Sequence, residues 1–199
     1  MSKGWQQPPY RPGIALSLDL SLRGTGYAVL DFRDSHVRMA HPQKNRRSYG
    51  TISVPERITD IRERRNYICR FIRNLAVTYQ PEYFIYEAIE GVIYRKGLTK
   101  ESNYIWALNG IKLIGAVEGI ADSRRRPIYS ITPMEWKNHF NIPMGKKAEG
   151  LDPKAIAIEV AKKEFNLRRV AEDPAEAALQ GKALLERRNL ARAGQLKFL

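Results

Sequence analysis

Four carboxylates occupy positions where a carboxylate is an odd choice. Asp19 falls within Gly13-Ile14-Ala15-Leu16-Ser17-Leu18-Asp19-Leu20, where Ile14, Leu16, Leu18 and Leu20 alternate with Ala15, Ser17 and Asp19. That period of two predicts a strand with Asp19 opposite the leucine face. An unpaired charge inside such a strand is costly, so Asp19 is matched by an arginine or a backbone turn, or it belongs to a site. Glu87 closes the apolar run Tyr83-Phe84-Ile85-Tyr86. It marks the C-terminal end of a strand, where open α/β sheets carry their sites, although a solvated strand end has the same pattern. Asp173-Pro174-Ala175-Glu176 reads as a helix start with Asp173 at the cap and Glu176 three residues on. The same spacing also sets both carboxylates at one end and one side of a helix, with Glu172 adjacent.

Acids on two strands and at a helix start could converge on Mg²⁺ or Mn²⁺, hard cations that take oxygen ligands. Two such ions side by side activate a water and stabilise the leaving oxygen of a phosphodiester. The balance of the chain suits that substrate. Its 199 residues carry 34 Lys and Arg against 21 Asp and Glu, a net charge of +13. A polyanionic partner is expected, nucleic acid before anionic membrane. The joint pattern is that of a metal-dependent nuclease.

The elements that must position these acids can be read in order. Residues 1–12, with Pro8, Pro9 and Pro12, read as an extended or disordered arm. The Asp19 strand should turn at Gly24-Thr25-Gly26 into a second strand, Tyr27–Phe32, as an antiparallel hairpin. A further short strand is expected near His36–Ala40 or Gly50–Val54, on either side of the basic loop Lys44-Asn45-Arg46-Arg47. A helix should open at Val54-Pro55-Glu56 and run to Tyr79 with an arginine-rich outer face. After the Tyr83–Ala88 strand, Ser102–Ala121 reads as a helix apolar nearly all round, which implies burial on more than one side. A strand at Pro127–Ile131 leads to Thr132-Pro133-Met134-Glu135, a capped helix start. Helices follow from Asp152 to Phe165 and from Asp173 into the basic tail. The predicted class is α/β, a mixed sheet with an antiparallel hairpin edge and parallel strands flanked by helices. One domain over residues 13–185 and a basic tail over 186–199 complete the organisation.

Composition excludes several classes. One cysteine, Cys69, forms no internal disulfide and builds no thiolate zinc site. Met1–Pro12 has no apolar stretch of secretory-signal type, and no apolar run is long enough to span a membrane. A reducing compartment such as the cytoplasm is expected. His36, His41 and His139 lack ligand spacing.

Taken together, these segments resemble the RuvC-type Holliday junction resolvases of the RNase H-like superfamily, particularly the phage-type members. Ile14–Ser21 with Gly24-Thr25-Gly26-Tyr27 is similar to that family's first strand and turn, and Ile85-Tyr86-Glu87 to its second acidic strand. Asn109-Gly110 and Gly115 fit its long helix, and Pro127–Pro133 its next strand and exit. Asp173-Pro174-Ala175-Glu176-Ala177-Ala178 fits its terminal acidic helix, with Glu176 where Asp is commoner. The resemblance covers about residues 13–185. It implies that Asp19, Glu87, Asp173 and Glu176 hold two Mg²⁺ or Mn²⁺ ions, with Asp19 as the central ligand. It implies a lysine at the scissile phosphate, drawn from Lys137, Lys146, Lys147 and Lys154, with Lys154 first because it opens a helix. It further implies an aromatic wedge after the second carboxylate, for which Tyr94 in Ile93-Tyr94-Arg95-Lys96 stands ready to stack on an exposed base, Arg95 and Lys96 adding charge. Family members are homodimers that cut four-way junctions by paired nicks, and the Ser102–Ala121 helix would supply the two-fold interface.

Other readings share some of these features. Actin-like ATPases also begin with an Asp and a Gly-rich turn, but they need two lobes and this chain is too short. A non-catalytic nucleic-acid-binding protein would use the acids only as caps and ion-pair partners. A hybrid-cleaving RNase H or a flap nuclease would use the same four acids.

Overall fold

Period-two alternation over Ile14–Asp19 does form the central strand, β1 (Ile14–Asp19), of a mixed sheet. The structure is a computed structural model that describes residues 12–34, 36–43, 47–88, 100–144 and 152–192. Its further strands are β2 (Gly24–Asp31), β3 (Arg38–Met39), β4 (Tyr49–Ser53), β5 (Tyr83–Glu87) and β6 (Ile128–Ile131). Helices are α1 (Ile61–Tyr79), α2 (Lys100–Ser123), α3 (Pro133–His139), α4 (Pro153–Phe165) and α5 (Glu172–Arg192). Strand order is β3-β2-β1-β5-β6, with β4 also pairing β2. β1 runs antiparallel to β2 and parallel to β5, and β5 runs parallel to β6. The expected mixed sheet is therefore present, and both candidate stretches for the further strand, near 38 and near 50, are strands.

Alternation divides the core into two layers. Leu16, Leu18 and Val29 point to one face and pack with Ile68, Ile72 and Leu75 of α1 and Leu113 and Val117 of α2. Ala15, Ala28, Leu30 and Ile85 point to the other, against Trp136 of α3, Ala157 and Ala161 of α4, and Ala175, Ala178 and Leu179 of α5. Small residues on α5 let it lie close to the sheet, and α4 packs in turn on α5. This second face carries Asp19.

Several local expectations are corrected by the structure. Gly24-Thr25-Gly26 is not the hairpin turn but the start of β2, paired with β4 from Gly24 to Ala28. The chain reverses earlier, where Thr25 Oγ1 donates to the Ser21 carbonyl at 2.9 Å. Helix α1 opens at Ile61 rather than Pro55, because Asp60 supplies the capping oxygen, accepting from the Glu63 amide at 2.9 Å. Helix α2 is not buried on more than one side: Tyr104, Ile105 and Ile111 are 61%, 47% and 56% exposed. Asp173 is not a cap but lies inside the first turn of α5, where Ala175 N–H donates to the Ala171 carbonyl at 3.1 Å. Pro174 fits that turn because first-turn amides need no intrahelical acceptor.

One glycine governs how α5 meets the sheet. A Cβ on Gly26 would sit 2.2 Å from the Asp173 carbonyl oxygen. Gly26 is also the residue opposite Asp19 in the β1–β2 ladder. Only a bare Cα lets the acidic start of α5 rest directly over the Asp19 strand. Gly26→Ala is expected to destabilise the protein by about 3 kcal/mol by forcing that turn outward. Urea denaturation of the variant checks this.

Candidate active site

Two of the four carboxylates are brought together by strand register alone. Leu18 of β1 lies opposite Tyr86 of β5 in a parallel pair. The next residue on each strand is Asp19 and Glu87, so the two acids end side by side at the C-terminal edge of the central strands. Period two then fixes their face: Asp19 follows Ala15 and Ser17, and Glu87 follows Tyr83 and Ile85, all toward α5. Helix α5 delivers the other two. Thr51 Oγ1 of β4 reaches Asp173 Oδ2 at 3.5 Å, and Glu176 follows less than one turn later.

Mutual repulsion records how near these acids are. Burial first, then the negative charges of Glu176, Glu87, Asp173 and Glu172, push the Asp19 carboxyl well above its ordinary range. Burial and Glu87 push Glu176 up to about 7, against the pull of Lys137 and Lys154. Burial and Glu172 also raise Asp173, which the Thr51 hydrogen bond partly offsets. By contrast Asp31, which accepts from the Arg33 guanidinium at 2.6 Å, is held below the usual carboxylate range.

As placed, no three Asp, Glu, His or Cys side chains among the described residues close on a single point as metal ligands. The donor set nevertheless suits a hard divalent ion: all four groups offer carboxylate oxygens, and burial with neighbouring negative charge raises the proton affinity of Asp19, Asp173 and Glu176.

A stability prediction follows from Glu176. Its folded proton affinity exceeds its unfolded one, so the folded protein binds more protons and loses stability as pH rises from about 4.5 to about 7. The loss is at most about 3 kcal/mol at 1.36 kcal/mol per pKa unit. Melting curves in chelator should show a lower midpoint at pH 8 than at pH 5, and Glu176→Gln should flatten that dependence.

Of the candidate lysines, Lys137 and Lys154 do lie at the site. Lys154, at the start of α4, pairs through Nζ with Glu172 Oε1, and that hydrogen bond raises its proton affinity. Lys137 stands over the Trp136 ring at 5.2 Å and acts electrostatically on Glu176. Tyr94, Arg95, Lys96, Lys146 and Lys147 lie outside the described residues.

Sequence reasoning missed two residues that touch the site. Glu87 Oε2 accepts from Trp136 Nε1 at 2.7 Å and from Gln180 Nε2 at 3.1 Å. The one available signal was Gln180 itself, a polar residue inside the alanine-rich stretch Ala175–Ala183. It also missed an open cleft beside Asp173, lined by Arg47, Tyr49, Thr51, Arg168, Arg169 and Pro174. All three arginine side chains are exposed.

No protein-family profile matches the chain by sequence, and no curated protein does. Solved structures do match by shape. RuvC of Thermus thermophilus, in a structure with a Holliday junction substrate, superposes with a TM-score of 0.65 over 94% of this chain and 99% of that one, at 17% identity. The chain has the RuvC fold. A second Thermus thermophilus RuvC structure gives 0.61 over the same shares at 19% identity. The yeast mitochondrial Holliday junction resolvase Ydc2 gives 0.61 over 94% of this chain and 84% of that one, at 17% identity. The RNase H-like sheet expected from the sequence is thus the sheet of RuvC, laid out over almost the whole chain. Among the described residues no helix is long and apolar enough to cross a membrane.

Proposed function

We propose that the protein is a metal-dependent endonuclease that hydrolyses phosphodiesters of four-way or branched DNA. The observation that carries this is that Asp19 and Glu87 end side by side at the C-terminal edge of a RuvC-fold sheet, with Asp173 and Glu176 of α5 near enough to repel Asp19. Asp19 would be the central ligand, Glu87 would share one cation, and Asp173 with Glu176 would complete the set. When bound, Mg²⁺ or Mn²⁺ would lower the proton affinity of a water and stabilise charge on the leaving oxygen. The chain's own groups orient and neutralise. Lys154 and Lys137 offer positive charge to the non-bridging oxygens of the scissile phosphate, Lys154 by exchanging its Glu172 partner for phosphate. The water oxygen forms a bond to phosphorus, the bond to the 3′-oxygen breaks, and the products are a 3′-hydroxyl and a 5′-phosphate.

Basic surfaces on either side support a DNA partner. The cleft with Arg47, Arg168 and Arg169 abuts Asp173 through Thr51 and Pro174, while Lys137 and Lys154 flank Glu176. No carboxylate among the described residues pairs with those three arginines, which leaves their charge for phosphate. Tyr94, with Arg95 and Lys96, follows Glu87 in the chain and would stack on an opened base. Lys146 and Lys147 would add contacts ahead of α4. Paired nicks on a four-way junction call for a symmetric dimer. Tyr104 and Ile111, two helical turns apart on the same exposed face of α2, supply an apolar surface for it.

The test compares a four-way junction, a linear duplex and an RNA–DNA hybrid as substrates at equal salt, with Mg²⁺ and with EDTA. Preferential Mg²⁺-dependent cutting of the junction supports the reading. Preferential cutting of the hybrid would assign the site to RNA instead.

A further inference from the structure

Packing does not explain why a glutamine stands at position 180. It is fully buried on α5 between Leu179 and Gly181, where the neighbouring buried residues, Ala177, Ala178, Leu179 and Ala183, are all small or apolar. Its Nε2 donates to Glu87, yet its Oε1 is buried with no hydrogen-bond partner among the described residues. Half of a buried amide is thus left unsatisfied, at a cost of about 1–3 kcal/mol. An apolar residue of similar length would avoid that cost. Turning the amide over would aim its oxygen at a carboxylate oxygen, so Glu87 fixes its orientation.

Trp136 donates to the same oxygen from another element. Its ring is fully buried in the α3–α5 layer, and its indole N–H, which can only donate, reaches Glu87 Oε2 at 2.7 Å. Helix α3 is itself pinned to α5 at both ends. Arg187 Nη1 donates to Glu135 Oε1 at 2.7 Å, and His139 Nε2 lies 2.8 Å from Glu186 Oε2. The two donors therefore approach from elements locked to one another.

We propose that Trp136 and Gln180 are positioning residues that grip Glu87 by Oε2 and turn Oε1 toward the cation. This rests on the metal-site reading of the four acids. A carboxylate oxygen has two lone-pair directions, and both of Oε2's are taken, so a cation meets Glu87 through Oε1 alone. One-oxygen contact from a fixed direction suits Mg²⁺, which demands near-octahedral geometry, better than Ca²⁺, which accepts two-oxygen contacts. Donors of this kind behind a metal ligand alter metal affinity by about 10–100-fold when removed.

The experiment uses the full chain and two variants that delete a donor while keeping an apolar body: Trp136→Phe and Gln180→Met. Mn²⁺ uptake is read by the electron paramagnetic resonance of the free ion. Metal-free junction binding is read by anisotropy, and melting curves monitor the fold. Expected is Mn²⁺ binding weakened about tenfold in each variant, with metal-free junction binding unchanged. Indole emission of the parent should also shift on Mg²⁺ addition, and that shift should vanish in Trp136→Phe. If Trp136→Phe melts too low to be measured, Gln180→Met, which leaves no cavity, decides alone. Mn²⁺ uptake by the parent with equal affinity in Gln180→Met overturns the grip. No Mn²⁺ uptake by the parent overturns the metal-site reading, and the grip with it.

Discussion

Asp19→Asn is expected to lower junction cleavage by about a thousandfold or more, the equivalent of several kcal/mol of charge stabilisation at a metal-bound transition state. Junction binding in EDTA should be equal or tighter, because removing a negative charge cannot weaken attraction for phosphate. The fold should also survive. Burial and four neighbouring carboxylates all act against the charge of Asp19, so a neutral isostere relieves strain in the metal-free protein. Single-turnover cleavage, anisotropy and a melting curve on one preparation check the three parts. If Asp19 served only to hold the structure, the variant would instead lose stability while its cleavage rate stayed at the parent level.

The second large effect is expected at the arginine cleft. Replacing Arg47, Arg168 and Arg169 together by Ala should reduce the slope of log K against log salt by about 2.7, at about 0.9 for each phosphate that is no longer neutralised. At 0.15 M salt the same change corresponds to roughly a hundredfold weaker binding. The weakening should be similar for junction and linear duplex, because phosphate contacts position the protein without reading shape or sequence. An unchanged salt slope would show that DNA runs elsewhere.

How much of this was legible in the sequence depends on whether the signal was local. Alternation through Ile14–Asp19 and the apolar run before Glu87 disclosed two strands and the face of Asp19, since a strand's period is fixed by its pleat. The capping box at Thr132–Glu135 and the helix start at Asp152 were likewise readable, and in the structure each satisfies backbone donors within its own turn. What no local pattern encoded was the parallel pairing of β1 with β5, and only that register makes Asp19 and Glu87 neighbours. Asp173 was misread as a cap for the same reason. Its position is set by the passage of α5 over Gly26, a tertiary contact that outweighs the local capping pattern. The all-round apolar character of α2 predicted burial that Tyr104, Ile105 and Ile111 do not have, since hydrophobicity marks a surface for covering without saying by what. Trp136 and Gln180 sit 49 and 93 residues from Glu87 along the chain, beyond any spacing rule.

Four carboxylates on a RuvC fold are proposed to cut branched DNA with divalent metal. The most direct test is a synthetic four-way junction, labelled on each strand in turn and incubated with Mg²⁺, Mn²⁺ or EDTA. Expected are paired nicks on opposed strands with either metal, ends bearing 3′-hydroxyl and 5′-phosphate, and no cutting in EDTA. Tight junction binding with every strand intact in both metals would contradict it and make the protein a DNA-binding scaffold on a nuclease fold.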